Sequence, residues 1–101
     1  MAVTMERQES QSVIRLEGEF TVTSAAELKD FLLEGLASGK RLLLDLEQAG
    51  EIDITLMQLL WAAGREGYRA GIGMAIRVSD AAAAAARDAG FERFPGPIVE
   101  E

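Results

Sequence analysis

Cysteine and histidine are both missing from this 101-residue chain. Without cysteine there is no disulfide, no thiolate metal site and no cysteine nucleophile, and nothing calls for an oxidising compartment. Without histidine the usual general base near neutral pH is gone. So are the Ser-His and Cys-His nucleophile arrangements and most zinc, copper and iron sites. No metal and no cofactor are expected, and an enzyme is disfavoured. Positive charge is scarce: ten basic residues against seventeen acidic ones give a formal net charge of −7. That balance repels nucleic acid phosphates and anionic membrane surfaces and favours a basic or neutral protein partner. No apolar run approaches the roughly 20 residues that span a bilayer, and no charged-then-apolar leader precedes Val13. The expectation is a soluble, cytoplasmic protein with no membrane insertion. At this length residues 1–101 form one domain with a single core.

What is present alternates between two periods. Residues 2–7 and 12–17 read as extended segments around the polar Gln8-Glu-Ser-Gln11, hence an antiparallel hairpin. In the second segment Ile14, Leu16, Gly18 and Phe20 share one face and Arg15, Glu17 and Glu19 the other. Thr23 or Ser24 then caps a helix carrying Leu28, Phe31, Leu32 and Leu36, with Glu27 completing a capping box and Ser38-Gly39 closing it. The nearly unbroken apolar run over 41–46 is too short for a helix and suits a central strand covered on both faces. A second helix presents Met57, Leu59, Leu60 and Ala63 inward and stops near Gly67. Ile72, Met74, Ile76 and Val78 alternate with small or polar residues as a last strand, with Arg77 outward. Ser79 or Asp80 caps a third helix made almost wholly of alanine, which packs little volume and must lie close to its neighbour. Gly90 ends it, Phe91 and Phe94 return to the core, and residues 95–101 should fray. The order β-β-α-β-α-β-α specifies an α/β fold, a mixed sheet of four to five strands with helices packed against it.

The most informative stretch is Glu51-Ile-Asp-Ile-Thr-Leu-Met-Gln-Leu-Leu60, an acidic turn that opens directly into the second helix. It places the Thr55 hydroxyl at a helix N-terminus, where unpaired N–H groups and the positive end of the dipole favour an anion such as phosphate. The plainer reading is that Asp53 or Thr55 merely caps the helix.

Together these segments resemble the STAS domains, the family of bacterial anti-sigma factor antagonists and of the cytoplasmic tails of sulfate transporters. The resemblance runs from Val13 to Phe94. It rests on Leu16-Glu-Gly-Glu-Phe20, on Leu42-Leu-Leu-Asp-Leu46, on Ile52-Asp-Ile-Thr55, similar to the family's Asp-Ser-Ser/Thr-Gly-Leu loop, and on Ala89-Gly-Phe-Glu-Arg-Phe94. It implies a protein-binding domain whose partner is both anti-sigma factor and serine/threonine kinase. In the antagonists the unphosphorylated form binds that partner, and phosphorylation of the loop hydroxyl ends binding. Carried onto this chain, the phosphorylated residue is Thr55, and the partner-binding surface comprises Asp53, Ile54, Thr55, Leu56 and Met57. Ile54 stands where the family has its first hydroxyl residue, Leu56 where it has glycine, and Thr21 where many members carry aspartate. The alternative is a constitutive STAS adaptor, a chemosensory or transporter-associated subunit that works without phosphorylation. Weak self-association remains open in either case.

Other features have ordinary readings. Glu17, Glu19, Asp45, Glu47, Glu51 and Asp53 could pair for acid–base chemistry or magnesium, yet carboxylates at such positions usually face solvent. Gly71-Ile-Gly73 lacks the third glycine of a nucleotide fingerprint and follows a helix, so it reads as a turn. Trp61 and Tyr68 are expected to pack along one helix face; a hot-spot role is the competing reading.

Overall fold

The computed structural model describes residues 2–19, 22–50, 54–88, 90 and 94–97. Its elements follow the order expected from the alternation: β1 (Ala2–Arg7), β2 (Gln11–Glu17), α1 (Val22–Ala37), β3 (Arg41–Asp45), α2 (Ile54–Ala70), β4 (Met74–Arg77) and α3 (Asp80–Asp88). The strands form one sheet in the order β1-β2-β3-β4. The β1–β2 hairpin is antiparallel, whereas β3 runs parallel to β2 on one side and to β4 on the other. Parallel neighbours need a crossover, and α1 and α2 supply the two.

Register explains the unbroken apolar run of β3. Leu42 and Leu44 lie across from Met74 and Ile76, and this row joins Ile14, Leu16 and Leu46 in the main core. All three helices add to it: Leu28 and Leu32 from α1, Leu56, Met57, Leu60 and Ala63 from α2, Ala82 and Ala86 from α3. Leu43 points the other way and is buried with Val13 and Ala75. The strand is thus covered on both faces, as its composition requires.

The opposite face carries charge as well. Arg15, Asp45 and Arg77 are cross-strand neighbours on β2, β3 and β4. Asp45 accepts Arg15 Nε at 3.4 Å and Arg77 Nη1 at 3.3 Å, and Glu47 lies 3.3 Å from Arg77 Nε. Arg15 also reaches Glu6 at 3.8 Å, so alternating charges cross all four strands. This corrects the expectation that Arg77 is exposed: its side chain keeps only 15% of its accessible surface because it is folded into the ladder.

Several boundaries also differ from the sequence reading. α1 already includes Thr23 and Ser24, with Ser24 buried, so neither sits ahead of the helix as its cap. α2 continues through Gly67, which is buried in it; a Cβ there would approach the Ile72 carbonyl oxygen at 3.3 Å and Leu36 Cδ2 at 3.5 Å. The stop is Gly71, at φ +74°. The Gly71 amide donates to the Tyr68 carbonyl at 3.2 Å and the Ile72 amide to the Gly67 carbonyl at 2.7 Å, the paired closure of a Schellman turn. Ile72 is spent on that closure and Val78 follows the strand, so β4 is shorter than the alternation implied. Tyr68 is 87% exposed and does not pack inward with the half-buried Trp61. Ser79 caps α3, its hydroxyl accepting the Ala82 amide at 3.0 Å. Phe20 and Phe91 lie outside the described residues.

Pro95, Gly96 and Pro97, in the segment expected to fray, lie against β4: the Ile76 amide donates to the Pro97 carbonyl at 2.9 Å. Residues 98–101 lie outside the described residues. A Cβ on Gly96 would run into the Met74 carbonyl oxygen, whereas at Gly73 the nearest atom would be Arg41 Cγ at 3.7 Å. Gly96→Ala should therefore lower stability by about 1–3 kcal/mol and speed exchange of the Ile76 amide. Gly73→Ala should stay within about 0.5 kcal/mol. Urea unfolding followed by circular dichroism, with hydrogen exchange, checks both.

Candidate functional site

The loop between β3 and α2 is built outward from the charge ladder. Asp45 Oδ1 accepts the Glu47 amide at 3.1 Å, and the Ala49 amide donates to the Leu46 carbonyl at 3.1 Å, turning the chain as it leaves the sheet. Gly18, just past β2 at φ +81°, anchors the far side of this turn. Its amide donates to the Gln48 carbonyl at 3.0 Å, and its own carbonyl accepts the Gly50 amide at 2.7 Å. Gly18 is the position that needs a glycine on conformational grounds; Gly50 needs one for space, since a Cβ would lie 3.3 Å from the Gly18 carbonyl oxygen.

This staple sets the root of α2 at the carboxyl ends of β2 and β3. Glu51, Ile52 and Asp53 lie outside the described residues, so the placement of Asp53 is not stated. Ile54 and Thr55 open the helix and are exposed, Ile54 at 54%. The first turn of α2 contains no acidic residue, so nothing of like charge within that turn occupies the end where unpaired N–H groups point outward. The rim is completed by Glu19, Glu47, Gln48 and Gly50, all exposed.

Two residues of the expected partner-binding set are not at the surface. Leu56 and Met57 are both 0% exposed and belong to the main core. The reason is helical geometry: the buried stripe of α2 is Leu56, Met57, Leu60, Ala63 and Gly67, and Leu56 begins it. The bulk that replaces the family's glycine is therefore turned inward, leaving the Thr55 side uncrowded. Ile54 is the exposed apolar group of the first turn.

Asp45 and Glu47, weighed above as members of a carboxylate pair, are engaged by arginine instead. Among the described residues no group of three or more acidic side chains could hold a metal ion. Also among them, no helix is long and apolar enough to cross a membrane. The ladder and the Gly18–Gly50 staple escaped the sequence reading. The alternation does put Arg15, Asp45 and Arg77 on outward positions, but only the register makes them neighbours.

Comparison with known proteins gives a consistent answer. Residues 3–100 match the family described as "Mlab, STAS domain". No curated protein sequence matches. Among solved structures, the fold is similar to the anti-sigma factor antagonist SpoIIAA in its unphosphorylated form, at 16% identity and TM-score 0.77, covering 99% of this chain and 89% of that one. The phosphorylated form of the Bacillus cell fate determinant SpoIIAA gives 16% identity and TM-score 0.73, covering 99% and 93%. A serine-to-glutamate variant of RsbS from Moorella thermoacetica gives 18% identity and TM-score 0.78, covering 100% and 88%.

The burial contrast at the start of α2 has a direct consequence. Leu56→Ala should destabilise the domain by about 2–5 kcal/mol, the range for emptying a core leucine site. Ile54→Ala, one residue earlier, should change stability by less than about 0.5 kcal/mol. Chemical denaturation of the two variants side by side checks the assignment.

Proposed function

The chain belongs to the STAS domain family described as Mlab, and on that footing we propose a protein-binding regulatory domain of the anti-sigma factor antagonist kind, with Thr55 as its switch. In this reading the unmodified domain docks an anti-sigma factor with serine/threonine kinase activity, and phosphorylation of Thr55 ends the complex. The observation that carries it is the exposed Thr55 at the start of α2, beside exposed Ile54 and above a buried Leu56. A hydroxyl in that position is open to a kinase, and the helix end tolerates the added phosphate. The contact surface is Ile54, Thr55 and the turn from Gln48 to Gly50, with Asp53 included on sequence grounds; Leu56 and Met57 support it from beneath. The fold is generally that of non-enzymatic regulatory domains, and no catalytic role is assigned to the carboxylates.

Phosphate would add about −1.5 to −2 charges at this point, on a chain of net charge −7. Inside the domain the helix dipole offsets part of that, worth about 0.3–1 kcal/mol. At a docked interface the phosphate loses its hydration and meets whatever packed on the threonine methyl. Binding should fall while the fold survives.

A second reading, the constitutive adaptor, draws on Ile54: an apolar side chain 54% exposed beside the hydroxyl suits a contact that is never released. One set of measurements separates the two. With its cognate kinase and ATP the domain should gain a single phosphate by mass spectrometry, and Thr55→Ala should abolish it. Thr55→Glu should weaken the complex at least about tenfold, with a melting shift of no more than a few degrees. An unmodified Thr55 together with undiminished binding by Thr55→Glu would establish the adaptor instead.

A further inference from the structure

The far half of α2 carries a surface that the Thr55 reading does not use. Trp61, Gly64, Arg65, Tyr68, Arg69 and Pro95 line an open groove of about 270 Å³. Its floor is a close contact between helix and C-terminal segment, where a Cβ on Gly64 would lie 2.7 Å from Pro95 Cβ. Half-buried Trp61 and Tyr68, 87% exposed, line it two helical turns apart. Two exposed arginines border them. We propose that this groove is a second docking surface, and that its occupant is a short acidic segment of a partner protein carrying one bulky apolar side chain.

The argument is one of charge complementarity on an acidic molecule. Arg7 is paired with Glu34, Arg15 with Glu6 and Asp45, and Arg77 with Asp45 and Glu47. Among the described residues, only in the groove do two exposed arginines of one helix border a Trp and a Tyr. Arg65 has no carboxylate partner among the described residues. Among the described residues Arg69 reaches only Glu66, one turn back on the same helix, in an exposed pair that is easily exchanged. Guanidinium groups bind carboxylates bidentately, and Trp, Tyr and Arg together are the residues that concentrate binding energy at protein interfaces. The rings and Pro95 offer an apolar seat for one side chain. The net charge of −7 repels the two other anions that such a patch could attract, a nucleic acid backbone and an anionic bilayer, because both are felt by the whole molecule. A peptide segment meets only the groove.

The groove is also separate from the switch. Trp61 lies about 9 Å and Tyr68 about 20 Å along the helix axis from Thr55, by the 1.5 Å rise per residue. A partner can therefore be held here whatever the state of Thr55.

The test uses the full chain, labelled with ¹⁵N, titrated with a capped hexapeptide in which acidic residues flank a central Leu-Phe pair. Saturable shifts are expected at the Trp61 indole and at the Arg65, Tyr68 and Arg69 amides. Affinity should fall at least about fivefold in Tyr68→Ser and in Arg65→Glu, both exposed positions at which the fold should persist. Replacing the peptide's acids by their amides should weaken it similarly, and Thr55→Glu should leave it unchanged. Shifts that do not saturate, that map outside the groove, or that persist with the amide peptide would overturn the proposal. So would sensitivity to Thr55→Glu, or sedimentation of the protein with phosphatidylglycerol vesicles in the absence of peptide binding. Failure here would leave the Thr55 reading standing, since its own test reads phosphate and complex formation at the other end of α2.

Discussion

Everything in this domain hangs on β3 being held between two parallel neighbours with leucine on both its faces. Parallel pairing on each side forces two long crossovers, and those crossovers are α1 and α2. Because Leu42 and Leu44 face the helices while Leu43 faces away, the strand has no solvent side between its two ends, Arg41 and Asp45. At the second of these the alternation meets charge, and Asp45 gathers arginines from both flanking strands.

That placement links the core to the site. In open α/β sheets the carboxyl ends of the strands are where loops are free to carry function. Here Asp45 holds the amide of Glu47, and the turn that follows is stapled to Gly18 at the end of β2. The start of α2 is consequently fixed from two strands, and its first turn is fixed again by Leu56 and Met57 in the core. Such a support suits the switch proposed at Thr55. A phosphate added at the exposed hydroxyl has little packed structure to disturb within the domain, so its effect is directed outward at whatever is docked there.

The two ends of the same helix differ in character. Its first turn is apolar and uncharged and sits among exposed acidic rim residues. Its last turns are aromatic and basic, and Arg69 near the C-terminus complements the negative end of the dipole. A net-acidic protein that keeps a local cationic and aromatic patch has segregated its charge along a single element.

Periodicity, composition and turn chemistry alone were enough for the order of elements, the doubly covered central strand and the exposed hydroxyl at the head of α2. These depend on local spacing, which a chain cannot hide. Tertiary structure decided what depends on who lies opposite. The family resemblance placed Leu56 and Met57 in a partner-facing patch because they follow Thr55, although the helical period already turned Met57 inward; both lie in the core. Gly67 reads as a helix stop in isolation, but close packing against Ile72 and Leu36 retains it within the helix, and Gly71 ends it instead. Arg77 reads as an outward charge, and register with Asp45 drew it into the ladder. Pro95-Gly-Pro97 reads as a loose end, yet a bare Gly96 backbone lets it lie along β4 and hydrogen-bond there. In each case residue type was legible and partner was not, because cross-strand register and the approach of distant backbone are properties of the folded chain and leave no local trace in the sequence.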